Sequence, residues 1–124
     1  MITPISFPLA KLLKEKGFDA PTLKWYHRET KKLNTNDLMF SMNKLTDNYS
    51  APTIAEAVMW LYEKHGIWVR VTPIPYSDNL THWRWEHMST NYSTRNFKWK
   101  KEQDYMSPTE VYEAAIEYVL TKLI

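Results

Sequence analysis

The chain contains no cysteine and only two glycines in 124 residues. The first absence excludes disulfides, thiolate catalysis and cysteine-held metals, and it is compatible with a reducing compartment. The second excludes the glycine-rich dinucleotide turn and the phosphate-cradling loop, because both need glycines where backbone amides approach phosphate. There is no Gly-x-Ser-x-Gly nucleophile elbow. The formal net charge is only +2, well short of the basic balance with which phosphate neutralisation drives nucleic-acid binding. No apolar run approaches membrane-spanning length, so no membrane contact is expected. Residues 1–8 lack the basic region and apolar stretch of a signal peptide, which makes the cytoplasm the expected location. Three Asn-x-Ser/Thr triplets, at Asn48, Asn79 and Asn91, then read as chance matches rather than glycosylation sites.

What is abundant is aromatic: 15% of the chain, including six tryptophans, within a globular balance of 44% apolar and 24% charged residues. The length fits one domain, 1–124, with one core built around large rings.

Two helix openings organise the chain. Pro52-Thr53 leads into Ile54-Ala55-Glu56, where Thr53 and Glu56 have capping-box spacing, with Ser50 and Ala51 as alternative caps. Ser107-Pro108-Thr109-Glu110 is the clearer signal, since Ser107 can accept from the amide of Glu110 and Pro108 sits where no donor is needed. The first of these helices should end at Gly66, with Ile54, Ala57, Val58, Leu61 and His65 on its core side. The other should run nearly to the C-terminus with Glu110, Glu113, Glu117 and Thr121 as its polar stripe. An earlier helix is expected over 8–16, stopped by Gly17, with Phe18 folding back on Leu13 or a neighbouring leucine.

Period-2 alternation marks the strands. It is visible over 22–28, where Leu23, Trp25 and His27 oppose Lys24, Tyr26 and Arg28, and over 67–71, where Ile67, Val69 and Val71 form the apolar side. It recurs over 81–88, where Trp83, Trp85 and His87 oppose His82, Arg84 and Glu86, and over 95–100, where Phe97 and Trp99 oppose Lys98 and Lys100. The polar stretch 29–37 reads as a loop, followed by a short strand over 38–42. The last three long strands, with a loop over 89–94, fit an antiparallel meander. The expected fold is therefore α+β: a mostly antiparallel sheet of four to five strands with three helices packed mainly on one face.

The segments Leu12-Leu13-Lys14-Glu15-Lys16-Gly17-Phe18-Asp19, Ser50-Ala51-Pro52-Thr53, Trp60-Leu61-Tyr62-Glu63-Lys64-His65 and Tyr112-Glu113-Ala114-Ala115-Ile116 together resemble small uncharacterised proteins encoded by phages and prophages of gut anaerobic bacteria. The resemblance covers the layout of most of the chain. It implies a mobile-element origin and, with it, a host-cell cytoplasm; it implies no catalytic residues.

Candidate chemistry is sparse. His27, His65, His82 and His87 offer no pair at helical metal-ligand spacing, and no metal or cofactor is expected. Asp19, Glu29 and Lys31 have the residue types of a magnesium-dependent nuclease, without a specific motif. If the meander registers in the simplest way, Trp68, Arg70, His82, Arg84, Lys98 and Lys100 share one sheet face, a basic and aromatic set of the kind that holds single-stranded nucleic acid. On the bland reading these are ordinary outward residues, with Glu86 as a cross-strand charge partner. Met59 and Trp60, together with Trp68, form the alternative contact set, because exposed Trp and Met favour protein interfaces. The expectation is a non-enzymatic binding or assembly module that contacts a protein partner or a second copy, with nucleic acid as the competing ligand.

Overall fold

The computed structural model describes residues 2–73, 83–89, 97–100 and 107–124. Among these the fold is α+β, with three helices and two antiparallel three-stranded sheets. The order is α1 (Phe7–Glu15), β1 (Thr22–His27), β2 (Leu33–Phe40), a 3-10 turn (Met42–Lys44), β3 (Asn48–Ser50), α2 (Ile54–His65), β4 (Ile67–Pro73), β5 (Trp83–Ser89), β6 (Phe97–Lys100) and α3 (Pro108–Tyr118), which runs on into a π-helical end (Val119–Leu123).

The helix ends follow their local chemistry. At α2 the Glu56 amide donates to Thr53 Oγ1 at 3.2 Å and the Thr53 amide donates to Glu56 Oε1 at 2.9 Å, completing the capping box. Gly66 ends α2 in the left-handed region, at φ 66°, where a side chain would be strained. Gly17 does the same after α1, at φ 89°, and the Phe18 amide returns to the Leu13 carbonyl at 2.9 Å. At α3 the Glu110 amide donates to Ser107 Oγ at 3.3 Å.

The strands divide between two sheets rather than forming one. The order β4-β5-β6 is the expected meander, with Val69 paired to His87, Val71 to Trp85 and Arg70 to Glu86. The second sheet, β2-β1-β3, contains two strands placed differently from expectation. β2 begins at Leu33, inside the stretch read as loop, and β3 was not expected. The first half of β2 is polar, Asn34-Thr35-Asn36-Asp37, and its apolar end, Leu38, Met39 and Phe40, is exposed rather than buried. Met42 lies in the 3-10 turn instead of a strand. His82 and residues 90–94 of the expected 89–94 loop lie outside the described residues, while Ser89 belongs to β5.

One apolar cluster joins the helices to strands β4 and β5 of the meander. Leu9 and Leu13 of α1, Ile54, Val58 and Leu61 of α2, Val69 and Trp85 of the meander, and Val111, Ile116 and Leu120 at the C-terminal end are all buried. The N-terminal segment is tied in by backbone bonds between Ile5 and Pro52 and between Ile54 and Thr3, both 3.0 Å. Tyr26, rather than Trp25, is the β1 ring packed on this core, and its hydroxyl donates to the Ile5 carbonyl at 2.7 Å. Burial, followed by the nearby Glu113 carboxylate, holds the Tyr26 phenol above its ordinary range.

Candidate protein-binding site

Strand β4 leaves α2 through Gly66 and immediately exposes the side of the sheet opposite the core. Ile67 and Val69 point inward, while Trp68 is half-buried and Arg70 is exposed. Because directly paired residues of an antiparallel sheet share a face, the register adds Met88 beside Trp68, Glu86 beside Arg70 and Arg84 beside Thr72. From α2, Met59 and Tyr62 are 43% and 42% exposed, and their three-residue spacing puts them on neighbouring parts of the helix surface. Tyr62 meets Trp68 edge to face, with ring centroids 5.5 Å apart. The helix and sheet thus form one aromatic and methionine surface bordered by Arg70.

Three expected site residues take other positions. Trp60 is not a surface contact: it is 5% exposed, with its ring 5.3 Å from Phe18 and 5.0 Å from His65. The reason is tertiary, since Phe18, which follows the turn at Gly17, packs its ring against Trp60. Lys98 and Lys100 do not share the register positions of Arg70 and Arg84. Lys98 pairs with His87 and Lys100 with Trp85, whereas Trp99 pairs with Glu86 and Phe97 with Met88. The simplest register assumed from sequence was offset by one residue, and such an offset exchanges the faces of a strand.

The charge on the exposed face is also reduced. Arg70 forms a bidentate contact to Glu86 Oε1 through Nε and Nη2. Glu86 is 5% exposed, so this is a buried carboxylate answered by a largely exposed guanidinium. Its other oxygen, Oε2, is buried and has no hydrogen-bond partner among the described residues. Arg84 donates from Nε to Thr72 Oγ1 at 3.3 Å. A cavity of about 180 Å³ lies at this position, lined by Trp68, Arg70, Glu86, His87 and Met88. Glu86 was legible in the sequence as a charge partner, but its burial was not. Tyr62 and Met88 carried no signal beyond falling next to Met59 and Trp68 once helix and register were known.

The residues considered for a magnesium site do not converge. Asp19 precedes β1 and Glu29 follows it, at opposite ends of a six-residue strand about 20 Å long. Lys31, in the β1–β2 turn, places its ammonium 5.5 Å from the Phe7 ring centre. Among the described residues no group of three or more histidines and carboxylates is arranged to hold a metal, and no helix is long and apolar enough to cross a membrane.

No protein-family model, curated protein or solved structure matches the chain.

Proposed function

We propose that the chain is a non-enzymatic binding or assembly module that contacts a protein partner through Met59, Tyr62, Trp68, Arg70 and Met88. The carrying observation is the edge-to-face contact of Tyr62 and Trp68, which makes α2 and β4 present one continuous surface. Trp, Tyr, Met and Arg are enriched in protein interfaces, and Trp, Tyr and Arg among them carry most of the binding energy, because each combines a large apolar contact area with a polar group. The resemblance of the helix segments to phage and prophage proteins supports a mobile-element setting and a partner in the host cytoplasm.

The nucleic-acid reading loses support from two features. Arg70 is committed to Glu86, and Lys98 and Lys100 take register positions with His87 and Trp85. Phosphate neutralisation would therefore be weak on this face.

The proposal is tested by placing a photo-crosslinking residue at Met59 or, as a control, at the exposed Lys11, in otherwise native protein mixed with host-cell extract. A defined adduct from position 59 that is lost in a Trp68→Ala background is expected. Equal adducts from both positions, or an adduct indifferent to Trp68→Ala, would refute this surface.

A further inference from the structure

We propose that the groove between α1 and α3 is a second docking site, which takes a basic amphipathic helix of a protein partner. It is independent of the Met59 and Trp68 surface, since none of its lining belongs to α2 or β4, and Lys11 does not line it. Two contacts set the groove's walls. The Ser6 amide, just before α1, donates to Glu113 Oε1 at 3.1 Å, and Lys16 Nζ, just after it, donates to the Ile124 carbonyl at 2.8 Å. The partners are 107 and 108 positions apart, so α1 and α3 run side by side in the same direction. A groove of about 340 Å³ lies between them.

The lining chooses the occupant. Pro8 and Leu12 of α1 and Ala114 of α3 supply apolar surface, and Pro8 is exposed while Leu12 and Ala114 are half-buried, so solvent reaches it. Glu110, Glu113 and Glu117 join Ala114 at the spacing of one helix face, and no basic side chain lines the groove among the described residues. Like charges three and four residues apart repel along a helix. A cationic partner turns that repulsion into attraction, whereas an acidic one adds to it. The carboxylates alone would not select a helix; the groove does. The channel between two helices lying side by side matches the ridge of a third, which anchors at positions i, i+3, i+4 and i+7. From Glu110 to Glu117 the stripe advances about 10 Å at the helical rise, so lysines or arginines about one turn apart on the partner meet it in succession. The partner's apolar side then covers Pro8, Leu12 and Ala114. Because Ser6 already holds Glu113, that carboxylate is oriented before the partner arrives.

The test uses the full chain and a synthetic amidated peptide of about 15 residues, long enough for a marginal helix, with leucines on one face and lysines at i, i+3 and i+7 beside them. Two control peptides carry glutamine or glutamate in place of every lysine. Titrations are followed by NMR through the Leu12 methyl resonances. The lysine peptide is expected to bind saturably with a dissociation constant of about 10 μM. The glutamine peptide should bind about tenfold more weakly, with less sensitivity to salt, and the glutamate peptide not at all. Glu117→Lys, at an exposed position, should weaken the lysine peptide about fivefold. Ala114→Leu fills the groove without touching a charge and should weaken it at least as much, and it carries the test if Glu117→Lys fails to fold. Asp37→Lys makes the same charge change on β2, outside the groove, and should leave binding unchanged. No binding of the lysine peptide overturns the proposal, as do equal binding of the lysine and glutamine peptides and undiminished binding in a folded Glu117→Lys or Ala114→Leu protein. An equal loss in Asp37→Lys would reduce the effect to net charge and overturn it as well. Self-association of the native chain that Glu117→Lys abolishes would give the groove to a second copy instead. A Met59 adduct that still depends on Trp68 in the Ala114→Leu background would show that the two surfaces act separately, as proposed.

Discussion

The two sheets have equal strand numbers but are held by different forces. In the meander β4-β5-β6, Ile67, Val69 and Trp85 enter the apolar core, and helices α2 and α3 pack on the same strands. In β2-β1-β3 the fully buried strand residues are Thr22 and Ser50, and both are engaged by hydrogen bonds. The rings nearest the core, Tyr26 and Tyr49, are only partly covered. One sheet is fixed by removing apolar surface from water, which is non-directional and large. The other is fixed by directional polar contacts, small in net energy but costly to leave half made.

The sharpest way to break this comparison is to truncate one tryptophan in each sheet. Trp85 is 2% exposed and packs 5.1 Å from the Tyr118 ring. Trp85→Ala should cost about 4 kcal/mol through lost burial and the cavity left behind. Trp25 is half-buried and donates from Nε1 to Asn36 Oδ1 at 3.0 Å, so Trp25→Ala should cost about 1 kcal/mol. Urea unfolding of both variants compares them directly, and equal losses would erase the distinction between the sheets.

The next largest effect should come from Asn43, the polar staple of the sheet β2-β1-β3. Its side-chain oxygen accepts from the Ser50 amide at 2.8 Å and its side-chain nitrogen donates to the Phe18 carbonyl at 2.9 Å. Asn43→Ala abandons a partner on each side, and an expected loss of about 2 kcal/mol follows from the two unsatisfied groups. Hydrogen exchange should show the Ser50 amide losing protection before the amides of β4. Simultaneous loss in both sheets would mean that the staple does not act locally.

The same contrast explains what could be read from sequence. Ile67-Trp68-Val69-Arg70-Val71 alternates because one side of β4 meets the core, so the strand, its inward face and the meander were all legible. The helix openings were legible because Thr53 and Ser107 satisfy amides within their own first turns. β2 was missed over 33–37 because its neighbours there are solvent and β1, leaving no apolar alternation to see. Trp60 was misplaced because its burial depends on Phe18, 42 positions away in a chain folded by the turn at Gly17. Within the candidate site, Met59, Trp68 and Arg70 were visible as residue types. Tyr62 joined them only through tertiary contact, and Lys98 and Lys100 left them through a register that alternation alone does not fix.

Tyr26 offers a finer comparison because it connects the polar sheet to the core segment. Removing its hydroxyl in Tyr26→Phe should cost about 1 kcal/mol near neutral pH, the net worth of its bond to the Ile5 carbonyl. The pH dependence has a definite sign. Burial, then Glu113, raises the folded-state value of Tyr26 above the unfolded one, so its protonated form adds stability that is fully present below about pH 10 and lost as pH rises through the folded value. Alkaline unfolding curves of the native protein and Tyr26→Phe should therefore converge as this contribution disappears. A constant gap across that range would assign the loss to packing instead.

The smallest expected effect lies on β2, where Leu38 is 80% exposed. Replacing it with serine removes almost no buried area, so the thermodynamic loss in dilute protein should stay within about 0.5 kcal/mol. Val69→Ser, at the corresponding extreme of the meander and 1% exposed, would remove buried apolar surface and place a hydroxyl in the core. The pair calibrates the comparison with one substitution type at opposite burial. If Leu38→Ser destabilises dilute protein by more than about 1 kcal/mol, then β2 is apolar-anchored in solution, and the division between a core-held and a hydrogen-bond-held sheet fails at its weakest edge.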